Sequence, residues 1–180
     1  MSTIQAEYTF DDLVRLPDDG KLYELVRGQL VKKETVWIVS RIATLINVYL
    51  ESDPRGWVFA ELPIDCFPWI PNHGRRPDVA YFHRDRLPEP REEETTVAPN
   101  WIVEVISKND NALKVEEKVE EYFKAGVELV WLVNPQLQTV RVHTVSDVHL
   151  FHAGDKITGA PVLPEFCATV RDFFPLVAEK

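Results

Sequence analysis

The chain has 180 residues, 45% of them hydrophobic, and 29 acidic against 20 basic side chains give a formal net charge of -9. A chain of this length buries roughly 70% of its extended surface on folding, so one domain over residues 1–180 can build its core without disulfides or a structural metal. The acidic balance argues against broad electrostatic capture of nucleic acid. The absence of both a leader-like start and a run of roughly 18–20 apolar residues makes a cytoplasmic protein without membrane contact the expectation.

In chain order, Thr9 caps a short helix over FDDLVRL, with Asp11 and Asp12 at its positive end. KLYELVRGQLVKK, residues 21–33, reads as a hairpin turning at Arg27 and Gly28. Ile38, Ile42, Leu45, Ile46 and Tyr49 mark one face of a helix over Val36 to Leu50. Short β-rich runs follow at Trp57 to Cys66, Pro77 to Phe82, Trp101 to Ile106 and Leu129 to Val133, with a helix over Asn109 to Ala125 between the last two. That order predicts a crossover with locally parallel strands, and an α/β or mixed α+β class. A second hairpin pairs Thr139 to His143 with Val148 to His152, and a Pro-rich tail leads to a short segment near Val170 to Phe174. Cys66 and Cys167 lack paired spacing and are expected as small buried hydrophobes, while Trp37, Trp57 and Trp69 are candidate interface or core aromatics, with core the expectation for each.

WIVEVIS carries the informative anomaly. Five apolar residues surround Glu104 in a strand whose pattern demands burial on both faces. A buried carboxylate costs several kcal/mol unless it is protonated, paired or bound to a cation, so Glu104 reads either as half of a buried ion pair or as a ligand. Strand alternation places it with Ile102 and Ile106. RRPDVAYF brings a second carboxylate, Asp78, to the start of another strand, and Pro77 is tolerated there because no ladder donor is lost. Two carboxylates on neighbouring strands suit Mg2+, which takes one or two carboxylates and keeps several waters.

The helix that follows Glu104 offers the proton handler. Ala112, Val115, Val119, Tyr122 and Phe123 make its apolar face, and Lys118 lies at the margin with a stem long enough to reach back along the sheet. Surface pairing is the competing expectation, Lys118 with Glu121 or Lys114 with Glu117, because Glu116, Glu117, Glu120 and Glu121 fall mostly on the outer face. Arg75, Arg76, Arg84, Arg86 and Arg91 read as surface charges, and Glu92, Glu93 and Glu94 as a solvated loop run.

Taken together, YELVRGQLV, RRPDVAYF, WIVEVISKND, EEKVEEYFKAGVELVWLVNP, TVRVH and LPEF give a chain that resembles the Uma-two family of PD-(D/E)XK restriction endonuclease-like proteins. The resemblance spans most of the sequence. It implies a restriction endonuclease-like fold with a central mixed sheet flanked by helices, Asp78 and Glu104 as metal ligands, and Glu24 completing an acidic cluster. The usual E-x-K spacing would put a lysine at position 106, where this chain has Ile106, so the lysine role passes to Lys118 on the following helix. Ser107 ends the motif and is expected either to shape the adjoining turn or to contact the site. Two departures stand out: KKETVWIVS is short where relatives carry a longer loop with a histidine, and LPEF has Glu165 where a turn glycine is usual.

The expected activity is Mg2+-dependent hydrolysis of phosphodiester bonds, with Mn2+ as a substitute ion and DNA as substrate. The catalytic set is Asp78, Glu104, Lys118 and Glu24, and a homodimer would bring two such sites together. A binding or assembly protein that keeps the fold without the chemistry is the alternative, favoured by the acidic balance.

Overall fold

The computed structural model describes residues 8–16, 22–33, 36–86, 95–107 and 110–174; side chains at 22, 24, 31–33 and 36 lie outside that description. Helix α1 (Phe10–Val14) begins on a reciprocal cap in which the Asp12 amide donates to Thr9 Oγ1 at 3.2 Å and the Thr9 amide to Asp12 Oδ2 at 2.8 Å. Strands β1 (Leu22–Val26) and β2 (Gln29–Lys33) form the expected hairpin. Arg27 and Gly28 turn it, both at positive φ (50° and 76°), the conformation that matches the twist of a two-residue hairpin loop.

Helix α2 (Val36–Ser52) follows, then β3 (Gly56–Ala60), β4 (Val79–His83), β5 (Trp101–Val105), α3 (Ala112–Ala125), β6 (Leu129–Asn134), β7 (Thr139–Thr144) and β8 (Val148–His152). Six strands, β3 to β8, lie side by side in sequence order in one sheet. β5 and β6 run parallel, joined by α3, and the other neighbours are antiparallel. The mixed sheet is therefore what one crossover and a series of direct reversals require. Gly126, at φ 97°, closes α3 with its amide bonded to Phe123 and Tyr122 carbonyls.

Strand alternation divides the core in two. On one face Trp101, Val103, Val105, Trp131 and Val133 meet Ile38, Ile42 and Ile46 of α2; on the other Ile102, Val130 and Leu132 meet Val119 and Tyr122 of α3. All five β5 residues are buried, as the sequence of that strand demands.

Several expectations are corrected. The run from Trp57 stops at Ala60, since Glu61 turns to φ 56° and beyond it Ile64 makes isolated bridges to Arg75 and Thr95. The Pro-rich tail holds another hairpin, β9 (Lys156–Gly159) with β10 (Leu163–Thr169), which sends Ile157, Leu163 and Phe166 into the α2-side core. Trp37 and Trp57 are exposed, at 64% and 43%, and the tryptophans that fill the core are Trp101 and Trp131, with ring centroids 4.6 Å apart. Both cysteines are free, Cys66 buried and Cys167 exposed; burial pushes the Cys66 thiol up to about 12. Arg91 and Glu92 to Glu94 lie outside the described residues.

Candidate metal and phosphodiester site

Val79 pairs with Val103 across β4 and β5, and continuing that antiparallel register by one residue sets Asp78 opposite Glu104. Both side chains then leave the same face of the sheet, the one α3 covers. Asp78 is 1% exposed and its Oδ2 accepts the Val105 amide at 2.5 Å, so the aspartate is fastened to the strand that carries its partner.

Glu104, 6% exposed, is held from α3 by two groups one helical turn apart: the Tyr122 hydroxyl donates to Oε1 at 2.6 Å and the Lys118 ammonium lies 2.9 Å from Oε2. The expected surface pairing of Lys118 with Glu121 is thereby corrected. The helix rotation that buries Val119 and Tyr122 aims Lys118 at β5 and leaves its side chain 14% exposed. An ammonium and a phenol together answer much of the cost of burying the carboxylate.

Glu121 is also misplaced by the sequence pattern. It is buried, and its Oε2 accepts His73 Nε2 at 3.0 Å and Arg75 Nε and Nη2 at 3.1 and 2.7 Å. Burial would raise its carboxyl, but the hydrogen bond from His73 and the charge of Arg75 outweigh it and hold the group at about 2. Arg75 is accordingly a buried partner, 5% exposed, rather than a surface charge. The signal was present in the sequence as His and Arg two residues apart in the loop before Asp78, but nothing local showed which helix they would meet.

Glu104, Lys118, Glu121 and Arg75 line a cleft of about 430 Å³, together with Arg27 of the hairpin turn, Gln29 at the start of β2 and Lys114 of α3. Glu104 opens into it. The cleft sits at the carboxyl end of the parallel β5, beside the crossover, where open α/β sheets place their ligands. Ser107 bonds through its amide to Asp110 Oδ2 at 2.6 Å, shaping the turn into α3, which Asn111 caps. Glu24 sits in β1 opposite Val31, but the side chain on which its expected role depends lies outside the described residues.

Among the described residues no three His, Cys, Asp or Glu side chains gather as a metal cluster. Asp78 and Glu104 offer two carboxylates. As hard oxygen donors, Glu104 at the cleft and Asp78 buried beside β5, they fit Mg2+ or Mn2+, which accept one or two carboxylates beside retained waters. No helix among the described residues is long and apolar enough to cross a membrane.

A mixed sheet with one crossover helix and an acidic pair at the strand end defines a restriction endonuclease-like fold. The same architecture is found in a crystal structure from Anabaena variabilis, described as a "putative nuclease belonging to DUF820", with a TM-score of 0.76 and 23% identity over 92% of this chain and 96% of that one. No curated protein matches the sequence. The family model for Uma2, "Putative restriction endonuclease", matches residues 10–171, and the chain belongs to that family. Family membership supports a nuclease.

Proposed function

We propose that the protein is a Mg2+-dependent nuclease that hydrolyses phosphodiester bonds in DNA, with Asp78 and Glu104 as the metal-holding carboxylates. The observation that carries this reading is a pair of buried carboxylates on neighbouring strands: Asp78, one residue before β4 and bonded to the Val105 amide, and Glu104 of β5, which opens into a cleft with Lys118 on its oxygen. A divalent ion bound there supplies Lewis-acid polarisation of a phosphoryl oxygen and a water of lowered pKa. Asp78 and Glu104 would hold it, oriented by the Val105 amide and the Tyr122 hydroxyl that bond them. In this reading Lys118, paired with Glu104, would hold the attacking water or stabilise charge building on the phosphoryl oxygens. Glu24 extends this acidic set in the reading, and a second copy of the chain is its expected partner, giving two sites for two strands.

The test is cleavage of single- and double-stranded DNA and of RNA with Mg2+ or Mn2+, comparing wild type with Asp78→Ala and Glu104→Ala. Loss of cleavage in both variants is expected; equal activity in all three proteins removes the assignment. Sedimentation as a clean monomer at working concentration removes the dimer.

A second reading has its own observation. Glu104 already has an ammonium and a hydroxyl as partners, an arrangement that suits a binding protein keeping the fold without the chemistry. Titration with Mg2+ or Mn2+ while following Tm separates the two, since an ion that binds the folded state raises Tm by linkage. An unchanged Tm at millimolar metal, with no cleavage of any substrate, favours the binding role.

A further inference from the structure

We propose that Glu121 is a positioning residue that, with His73 and Arg75, docks the β1–β2 hairpin as the substrate-facing wall of the cleft; the functional half of this inference rests on the nuclease reading.

The loop that carries His73 and Arg75 is stitched to the hairpin. The Gly28 amide donates to the Asn72 carbonyl at 3.1 Å, and the Gly74 amide to the Leu25 carbonyl at 3.2 Å. The Arg27 amide donates to His73 Nδ1 at 3.3 Å, which leaves the ring proton on Nε2, pointing at Glu121. One carboxylate on α3 then receives His73 and both Arg75 donors at a single oxygen, while Arg27 Nη2 stands 4.0 Å from the other. Side-chain exposures of 0% for His73, 6% for Arg75 and 11% for Glu121 make this a closed polar junction rather than a surface pair.

Its location gives it consequence. Glu121 follows Lys118 by one turn and precedes Tyr122, the two residues that hold Glu104, yet it faces the hairpin and not the acidic pair. Arg27 of the hairpin turn and Gln29 at the start of β2 line the same cleft as Lys114 and Lys118. Helix α3 therefore serves both walls: Lys118 and Tyr122 fix the acid, and Glu121 fixes the distance at which Arg27 meets an entering phosphate backbone.

Two variants of the full chain test this. Glu121→Gln keeps the shape and removes the charge, while the double variant Arg75→Met/Glu121→Leu removes both charges together, so that no lone ion is left buried. Amide hydrogen exchange at Gly28 and Gly74 reads the docking, and Mn2+-dependent cleavage of a short DNA duplex reads its use. In the double variant, exchange at both glycines should accelerate about tenfold or more relative to the Trp131 amide, and KM should rise about tenfold with kcat within about threefold. Glu121→Gln should shift both readouts in the same direction by less. Unchanged glycine exchange and KM in folded variants overturn the proposal, as does failure of both variants to fold, which assigns the junction to global stability. If wild type cleaves nothing, the nuclease reading falls, and exchange at Gly28 and Gly74 alone decides the docking role.

Discussion

Lys118 meets Glu104 at 2.9 Å from the helix that follows it, and the same carboxylate accepts the Tyr122 hydroxyl at its other oxygen. One helix thus grips a single strand carboxylate at two points. That grip makes the separate contributions of charge, hydroxyl and metal accessible to substitution.

Replacing Lys118 with Met leaves Glu104 buried without its ammonium. Removing one partner of a buried pair costs about 3–5 kcal/mol, so chemical denaturation should show a loss of that order. Two carboxylates then face one another with less opposing charge, and a cation becomes a stronger remedy than in wild type. The gain in Tm on adding Mn2+ should accordingly be larger in Lys118→Met than in wild type, although cleavage is lost.

Tyr122→Phe deletes one oxygen and keeps the ring that packs with Val119 and Phe67. A hydrogen bond to a charged group contributes about 1.5–3 kcal/mol to stability, which denaturation should register. Groups that orient a metal ligand typically alter affinity or activity by about 10–100-fold, so Mn2+ affinity by calorimetry should weaken within that range. A variant with wild-type metal affinity would confine Tyr122 to packing.

Glu121 sets a pH dependence. Its carboxyl is lowered from 4.5 to about 2 in the folded chain, so the unfolded state binds the proton more readily. The stabilisation is full above the unfolded value near 4.5 and is lost progressively as pH falls toward about 2. Urea unfolding at pH 5 and pH 3 should show a steeper loss for wild type than for Glu121→Gln, which has no proton to take up. Equal slopes for the two proteins would contradict the assignment.

The tryptophans separate surface from core. Trp131 is fully buried against Trp101 and Phe173, and Trp131→Ala should cost about 3–5 kcal/mol. Trp57, 43% exposed, keeps much of its surface in water either way, and its truncation should cost far less in the same denaturation experiment.

What the sequence reveals of this site depends on how locally each residue is constrained. Glu104 is conspicuous because its neighbours force it into the core, and the β5–α3–β6 crossover is readable from alternating periods and the Gly126 stop. Asp78 gains its meaning from a register that pairing reveals. Glu121 stays hidden because four glutamates around one helix read as solvated charge, and only the tertiary approach of His73 and Arg75 singles one of them out. Tyr122 reads as an apolar-face residue, and that reading is right for its ring and silent about its hydroxyl. Exposed Trp37 and Trp57 and the β9–β10 hairpin escape for a similar reason: composition favours core for tryptophan and disfavours strand for proline, and packing overrides both.

The central claim is that Asp78 and Glu104 hold a divalent ion. Crystals soaked in Mn2+ and measured for anomalous scattering test it most directly. The account predicts one strong peak in contact with both carboxylates, absent in Glu104→Ala. No peak at that position in the wild-type protein at millimolar Mn2+, with the Lys118–Glu104 ion pair undisturbed, would contradict it.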